Sequence, residues 1–343
     1  MLKKILSLSM AMLMMLGAFS ACGNEAQPKE STPETTAAAQ KEEPKQFYKV
    51  LTLGHSLAVD ANHMLALVAK AEGYKGLTVG TLYYSGCPLY KHVQYLKSDA
   101  REYNLYISSS DDATTPPTIM NDVTMKEAIR YTDWDLIVMQ GGTFELASKE
   151  TFVNGNIQTI QSYVNEHKLN QDAIFAWHMP WAFATEDELR SKYTASANNP
   201  YVNGYAPFND DRLKLYEAFA QQVNDFIMPD ETFRFLIPTG TAIENAMSSY
   251  MTEFDLIRDY AHASDYGRLI AAYTWYCRLT NLDKLEDIKL TTIPKNFFKS
   301  TTGNEDRVLT EMEKAILIES VNNALTTQLS VTQSQYTEAP AIG

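Results

Sequence analysis

The chain is poor in cysteine and in positive charge, and both shortages narrow what it can be. Only three cysteines, Cys22, Cys87 and Cys277, occur in 343 residues. Two beyond Cys22 make no disulfide framework. No C-x-x-C or H-E-x-x-H spacing exists, so neither a metal nor another cofactor is expected. Lys and Arg number 29 against 42 Asp and Glu, a formal net charge of −13, and no basic cluster interrupts it. Phosphate binding needs concentrated Lys and Arg, so nucleic acid is not an expected partner. The acidity bears on solubility, not on mechanism. Internal repeats are missing as well, which argues against a solenoid or propeller.

Long apolar runs are confined to the N-terminus. Lys3 and Lys4 precede the stretch Ile5 to Phe19, which ends in Ser20-Ala21 before Cys22. That is the layout of a secretory signal, over residues 1–21. Phe19-Ser20-Ala21-Cys22 resembles the bacterial lipobox, in which the cysteine is lipidated and becomes the new N-terminus. Cys22 is therefore the expected lipidation site. The expected location is the bacterial cell envelope, anchored to the membrane through lipid and facing outside the cytoplasm. Residues 22–46 are rich in Glu, Pro, Thr, Ala and Lys and nearly free of large apolar side chains. Such a segment cannot offset its ordering entropy and reads as a disordered tether.

Residues 47–329 form the expected domain, and 330–343 a polar tail expected to be disordered. With 45 % hydrophobic residues the chain can build a sizeable core. Apolar runs alternate with helical periodicity: Lys49 to Leu53, then a helix from Asp60 to Glu72; Leu77 to Tyr84; Trp134 to Gln140, then Gly155 to His167; Ala173 to Met179, then Asp210 to Phe226; Phe233 to Pro238, then Asp265 to Leu279. Strand–helix alternation implies a mainly parallel sheet covered on both faces. Ligands of such sheets sit beyond the carboxyl ends of the strands. Ser56, Gly86, Gln140 and His178 all fall there. Residues from about 98 to 123 and from about 185 to 209 read as long loops. A late helix, Leu309 to Leu325, has no evident packing partner.

Ser56 follows a strand and leads toward a helix, a turn that exposes a serine and surrounds it with backbone donors. Asp259-Tyr260-Ala261-His262 lies past the last strand and ahead of a helix. A serine nucleophile needs a base, and the base needs an orienting carboxylate; a D-x-x-H turn presents both at one point. Asp60 reads as a helix cap. Cys87 reads as a small packed residue.

In these blocks the chain resembles the SGNH (GDSL-like) hydrolases, from about Val50 to Leu279. Leu51-Thr52-Leu53-Gly54-His55-Ser56-Leu57 is similar to the first block, with His55 where the family usually has Asp or Asn. Tyr84-Ser85-Gly86-Cys87-Pro88-Leu89 fits the glycine block. Gln140-Gly141-Gly142-Thr143 stands where the family reads G-x-N-D. Asp259-x-x-His262, followed by Ser264 and Gly267, matches the last block. More narrowly, His178-Met179-Pro180-Trp181-Ala182 and Arg258-Asp259-x-x-His262-x-Ser264 resemble segments of SGNH-like domains in gut bacteria. The resemblance implies a flavodoxin-like three-layer α/β/α fold and ester hydrolysis without a cofactor. It implies a triad of Ser56, Asp259 and His262, with Gly86 in the oxyanion hole. Gln140, whose amide can also donate, stands in there for the missing Asn. His178 and Trp181 are candidates for a substrate wall. The expected substrate is an acyl, chiefly acetyl, ester on an extracellular glycan. The competing expectation is a non-catalytic glycan-binding lipoprotein that uses Tyr83, Tyr84, Trp181, Tyr201 and Tyr205.

Overall fold

Six residues, Lys49–Gly54, form strand β1, and all but Lys49 are buried. A run apolar on both faces belongs inside a sheet, and β1 lies there. The computed structural model describes residues 46–112, 117–142, 145–191, 208, 211–294 and 306–339. These fall in the compact unit Pro44–Gly343. The expected signal, nearly all of the tether, and Cys22 lie outside the described residues. So do Tyr201, Tyr205 and most of the expected 185–209 loop.

β1 pairs in parallel with β2 (Thr78–Tyr83) on one side and β5 (Leu136–Met139) on the other. β6 (Ile174–His178) and β7 (Phe233–Ile237) continue the parallel set. Beyond β2 come β3 (Tyr103–Ser109) and β4 (Thr118–Val123), both antiparallel to their neighbours. The sheet is thus mixed, with seven strands in the order β4-β3-β2-β1-β5-β6-β7. Its five parallel strands follow the flavodoxin-like 2-1-3-4-5 order, and helices flank the sheet in a three-layer α/β fold.

The β3–β4 hairpin corrects the expected loop at 98–123. Tyr103 and Leu105 alternate with less buried neighbours in β3, so a period of two was present. The polar Ser108-Ser109-Ser110-Asp111-Asp112 run that follows obscured it.

Helix α1 spans Ser56–His63 and α2 spans Leu65–Glu72, with Met64 between them at φ −95° and ψ 0°. The expected single helix from Asp60 is therefore two, and the first begins at Ser56. On the other face lie α3 (Leu89–Ser98) and α4 (Asn156–His167), which pack on each other. Next in the chain comes α5 (Arg212–Gln222), which ends in a π turn, Val223–Ile227. Helices α6 (Thr239–Met247), α7 (Asp265–Thr280) and α8 (Glu311–Thr326) pack together, and α7 also packs on α1 and α2. Helix α8 is the late helix without an evident partner; it lies against α6 and α7.

Residues 330–339 correct the expected disordered tail. The Thr332 N–H donates to Asn245 Oδ1 at 2.7 Å, and the Ser334 N–H to Ser248 Oγ at 2.8 Å. The Tyr250 N–H donates to Tyr336 O at 2.9 Å. The segment is bonded along the end of α6 although many of its polar side chains remain exposed.

Candidate active site

The turn after β1 sets Ser56. His55 caps α1: its Nδ1 accepts the Leu57 N–H at 3.4 Å, so its Nε2 carries the proton that is donated to Gly141 O at 3.1 Å. Burial drives the His55 pKa down to about 4, and the ring stays neutral. Ser56 is the first helical residue and is partly exposed. Its N–H is one of the first-turn donors that a helix leaves without an intrahelical acceptor. In the turn after β2, Gly86 has φ +58°, a conformation that favours glycine. The Cys87 N–H closes this turn onto Tyr84 O at 3.3 Å.

The Asp259–His262 turn has a single organising carboxylate. Asp259 Oδ1 accepts the backbone N–H groups of Ala261 at 3.0 Å and His262 at 2.9 Å. The same carboxylate holds His262 Nδ1, at 3.0 and 3.1 Å from its two oxygens. Burial would raise the Asp259 pKa, but the bonds to the His262 ring and to the two N–H groups outweigh it, and the net shift is downward. Asp259 stays ionised, and the bond fixes which ring nitrogen faces away from it.

A residue that the sequence reading treats as a helix cap joins these two halves. Asp60, one turn after Ser56 on α1, is 2 % exposed. Its Oδ2 accepts the Ala263 N–H at 3.0 Å and Arg258 Nη1 at 2.9 Å. Its Oδ1 accepts Arg268 Nε at 3.0 Å and Nη2 at 2.8 Å. Burial opposes its charge, but Arg268 and Arg258 bring its pKa down to about 2. The 259–262 turn is thereby held against the helix that starts at Ser56. The spacing of four residues between Ser56 and Asp60 was a readable signal; the arginine partners were not, because they lie 198 and 208 positions away.

Helix α7 gives the turn its other support. Ser264 caps it by accepting the Gly267 N–H at 3.1 Å, and its Oγ donates to Asp255 O at 2.6 Å. A Cβ on Gly267 would lie 2.3 Å from Leu256 O. Only glycine lets α7 approach the 256–263 loop so closely, which accounts for Ser264 and Gly267 after Asp259-x-x-His262.

Burial corrects two expected substrate-wall residues, Trp181 and His178, and one expected oxyanion donor, Gln140. Trp181 is 0 % exposed and donates its indole N–H to Ala261 O at 2.8 Å. It buttresses the 259–262 turn instead of forming a wall. His178 is also 0 % exposed, and burial brings its pKa down to about 3. Gln140 has no exposure either. Its Nε2 donates to His178 Nδ1 at 3.0 Å and its Oε1 accepts the His55 N–H at 3.4 Å. The amide thus supports the Ser56 turn from beneath. Gln140→Ala is expected to cost about 1–3 kcal/mol of stability, because it strands the His55 N–H and His178. Urea unfolding beside steady-state kinetics checks this: a kcat loss with unchanged stability would restore Gln140 to the oxyanion hole.

Glu145 was not expected at the site. Its Oε1 accepts the Gly142 N–H at 2.7 Å and the Leu89 N–H at 2.9 Å, tying the loop after β5 to the start of α3. Burial raises its pKa to about 7 against those two bonds. Cys87 and Cys277 are free and buried. Burial pushes both thiols up, so neither is a ready nucleophile. Among the described residues no group of His, Cys, Asp and Glu is placed to hold a metal. A cleft of about 480 Å³ lies at the opposite, amino-terminal ends of β6 and β7, lined by Gln161, Glu231 and Arg234 among others. It contains none of the residues above.

The fold and site together define a three-layer α/β protein with Ser56 and Gly86 just past the carboxyl ends of β1 and β2 and the Asp259–His262 turn held against the helix that starts at Ser56. The chain belongs to the DUF4886 family, a domain of unknown function, whose model matches residues 49–296. The crystal structure of a DUF4886 family protein from Bacteroides uniformis is similar, with a TM-score of 0.67 and 22% identity, covering 85% of this chain and 99% of that one. That likeness concerns the fold. A protein from Slackia heliotrinireducens described as a candidate SGNH hydrolase matches with a TM-score of 0.40 and 19% identity, over 67% of this chain and 97% of that one. So distant a likeness carries no weight for function. No curated protein matches the chain.

Proposed function

We propose that the protein is a serine esterase in which Ser56 is the nucleophile, His262 the base and Asp259 its orienting carboxylate. The observation that carries this reading is the bond from Asp259 to His262 Nδ1, in a turn stapled through Asp60 to the helix that begins at Ser56. Ser56 Oγ bonds to the ester carbonyl carbon while its proton passes to His262 Nε2, the ring nitrogen opposite Asp259. The bond to the leaving alkoxide then breaks, and the alkoxide takes that proton. Water repeats the cycle on the acyl-enzyme. The Ser56 and Gly86 N–H groups are the oxyanion donors in this reading.

The substrates we assign are acetyl or other small acyl esters on extracellular glycans. This choice rests on the lipobox-like Cys22, which would place the domain outside the cytoplasm on a lipid anchor. Incubation with a fluorophosphonate and with a chromogenic acetyl ester tests the chemistry. Phosphonylation displaces fluoride and should add one phosphonyl group to the peptide carrying Ser56, with loss of esterase activity. No turnover and no adduct on Ser56 would end the esterase reading.

A further inference from the structure

Asp60 takes four hydrogen bonds from residues about 200 positions further along the chain: two come from Arg268 on α7, and the other two fall on the two stems of the 259–262 turn. Arg258 immediately precedes Asp259, and Ala263 immediately follows His262. The two stems also bond to each other, through the Arg258 N–H to His262 O at 2.9 Å and the Ser264 N–H to Leu256 O at 2.8 Å. Arg258 Nη1, besides reaching Asp60, donates to Ala263 O. The loop is therefore a closed ring, and one carboxylate on the nucleophile's own helix grips it at its neck. Arg268, 1 % exposed, locks the other oxygen of that carboxylate and also pairs with Asp265 at 3.2 Å.

We infer that Asp60 is a positioning residue for the proposed triad: it sets where the His262 ring stands relative to Ser56, and its negative charge acts on that ring. The inference rests on the esterase reading for its catalytic consequence, but not for its structural one. Asp60 and His262 attract each other, and this attraction is among the influences that hold Asp60 ionised. The other charged or titratable groups around the ring are Asp259 and Arg258 on its own loop and His55 across the first turn. Arg268 and His63 face Asp60 from α7 and from the end of α1. A carboxylate beside an imidazole favours the imidazolium, and a guanidinium disfavours it. Asp60 and Arg258 thus act on His262 with opposite signs, although they are bonded to each other.

Two variants in opposite directions test this. In Asp60→Asn the removal of the negative charge should move the NMR pH titration of the His262 ring to lower pH by about one unit. In Arg258→Gln, where the side chain is 21 % exposed and better able to tolerate change, it should move to higher pH. If Asp60→Asn does not fold, the Arg258→Gln shift alone decides. Steady-state kinetics adds the catalytic consequence. Asp60→Asn should lower kcat by about 10²-fold, as for a misplacement near 1 Å, with KM within about threefold. The acid limb of its kcat/KM profile should follow the ring. A purely structural salt bridge would lower the unfolding midpoint but move neither limb nor ring. A folded Asp60→Asn with wild-type kcat and an unmoved His262 titration overturns the inference. Shifted ring titrations in a protein that never turns over an ester would uphold the electrostatic coupling and defeat only the esterase reading.

Discussion

Ser56→Ala is expected to reduce kcat on an activated acetyl ester by roughly 10⁴–10⁶-fold while leaving the fold intact, the range seen when a member of such a triad is removed. The catalytic half follows from chemistry: without Oγ no acyl-enzyme forms, and what remains is the contribution of the oxyanion donors and of substrate binding. The stability half follows from position. His55, not Ser56, caps α1, and removing a partly exposed hydroxyl at the first helical residue changes stability by about 0.5 kcal/mol or less. Asp259→Asn should behave differently. The amide cannot accept with both of its groups: with its oxygen kept on the two backbone N–H groups, it presents an N–H to His262 Nδ1. That favours the wrong tautomer, and a kcat loss near 10⁴-fold is expected. Thermal melts alongside kinetics check both variants. If Ser56→Ala keeps more than a few per cent of wild-type activity, the nucleophile lies elsewhere.

Much of this arrangement was legible because its carriers are local. Gly54-His55-Ser56 and Asp259-x-x-His262 are short, and each sits where a strand–helix boundary can be read from apolar periodicity. What could not be read was how the two ends meet. Asp60 looks like a cap because aspartates near helix starts usually are caps, and nothing within 30 residues offers it an arginine. Its partners come from the last third of the domain. Burial misled in the other direction. Gln140, His178 and Trp181 follow strands at the correct edge, so they resemble residues that face a cleft; yet each side chain turns inward and bonds to the scaffold. Sequence position says which end of the sheet a residue occupies, not whether its side chain faces the cleft. The β3–β4 hairpin was hidden for a third reason: its alternation is only partly apolar, since β4 is exposed for five of its six residues.

The same inward-facing residues make the protein sensitive to acid. Four histidines, His55, His63, His92 and His178, are buried, and burial is the largest cause of the lowered pKa of each. His55 falls to about 4, and His92 and His178 to about 3, from an ordinary value of 6.5. The native state refuses protons that the unfolded chain accepts, so their contribution is fully present above pH 6.5 and is lost as pH falls toward the folded values. Glu145 runs the other way. With a pKa raised to about 7, the native state binds a proton that the unfolded chain does not take until about pH 4.5, which favours folding on acidification over that interval. Four protons against one leave a net difference of about three between pH 4.5 and 6, a slope near 4 kcal/mol per pH unit at most. Domain stabilities are about 5–15 kcal/mol, so cooperative unfolding is expected between roughly pH 5 and 4, well above the point where Asp60, with its pKa near 2, gives up its charge. Trp134, Trp177, Trp181 and Trp275 are all fully buried, so a red shift in tryptophan fluorescence should report the transition. In Glu145→Gln the opposing proton is removed, and the fall between pH 7 and 4.5 should steepen by about 1.4 kcal/mol per pH unit. Urea-derived stability that is equal at pH 7.5 and pH 5 would mean that these histidines find water or a partner when protonated, and that their burial does not govern the acid limit.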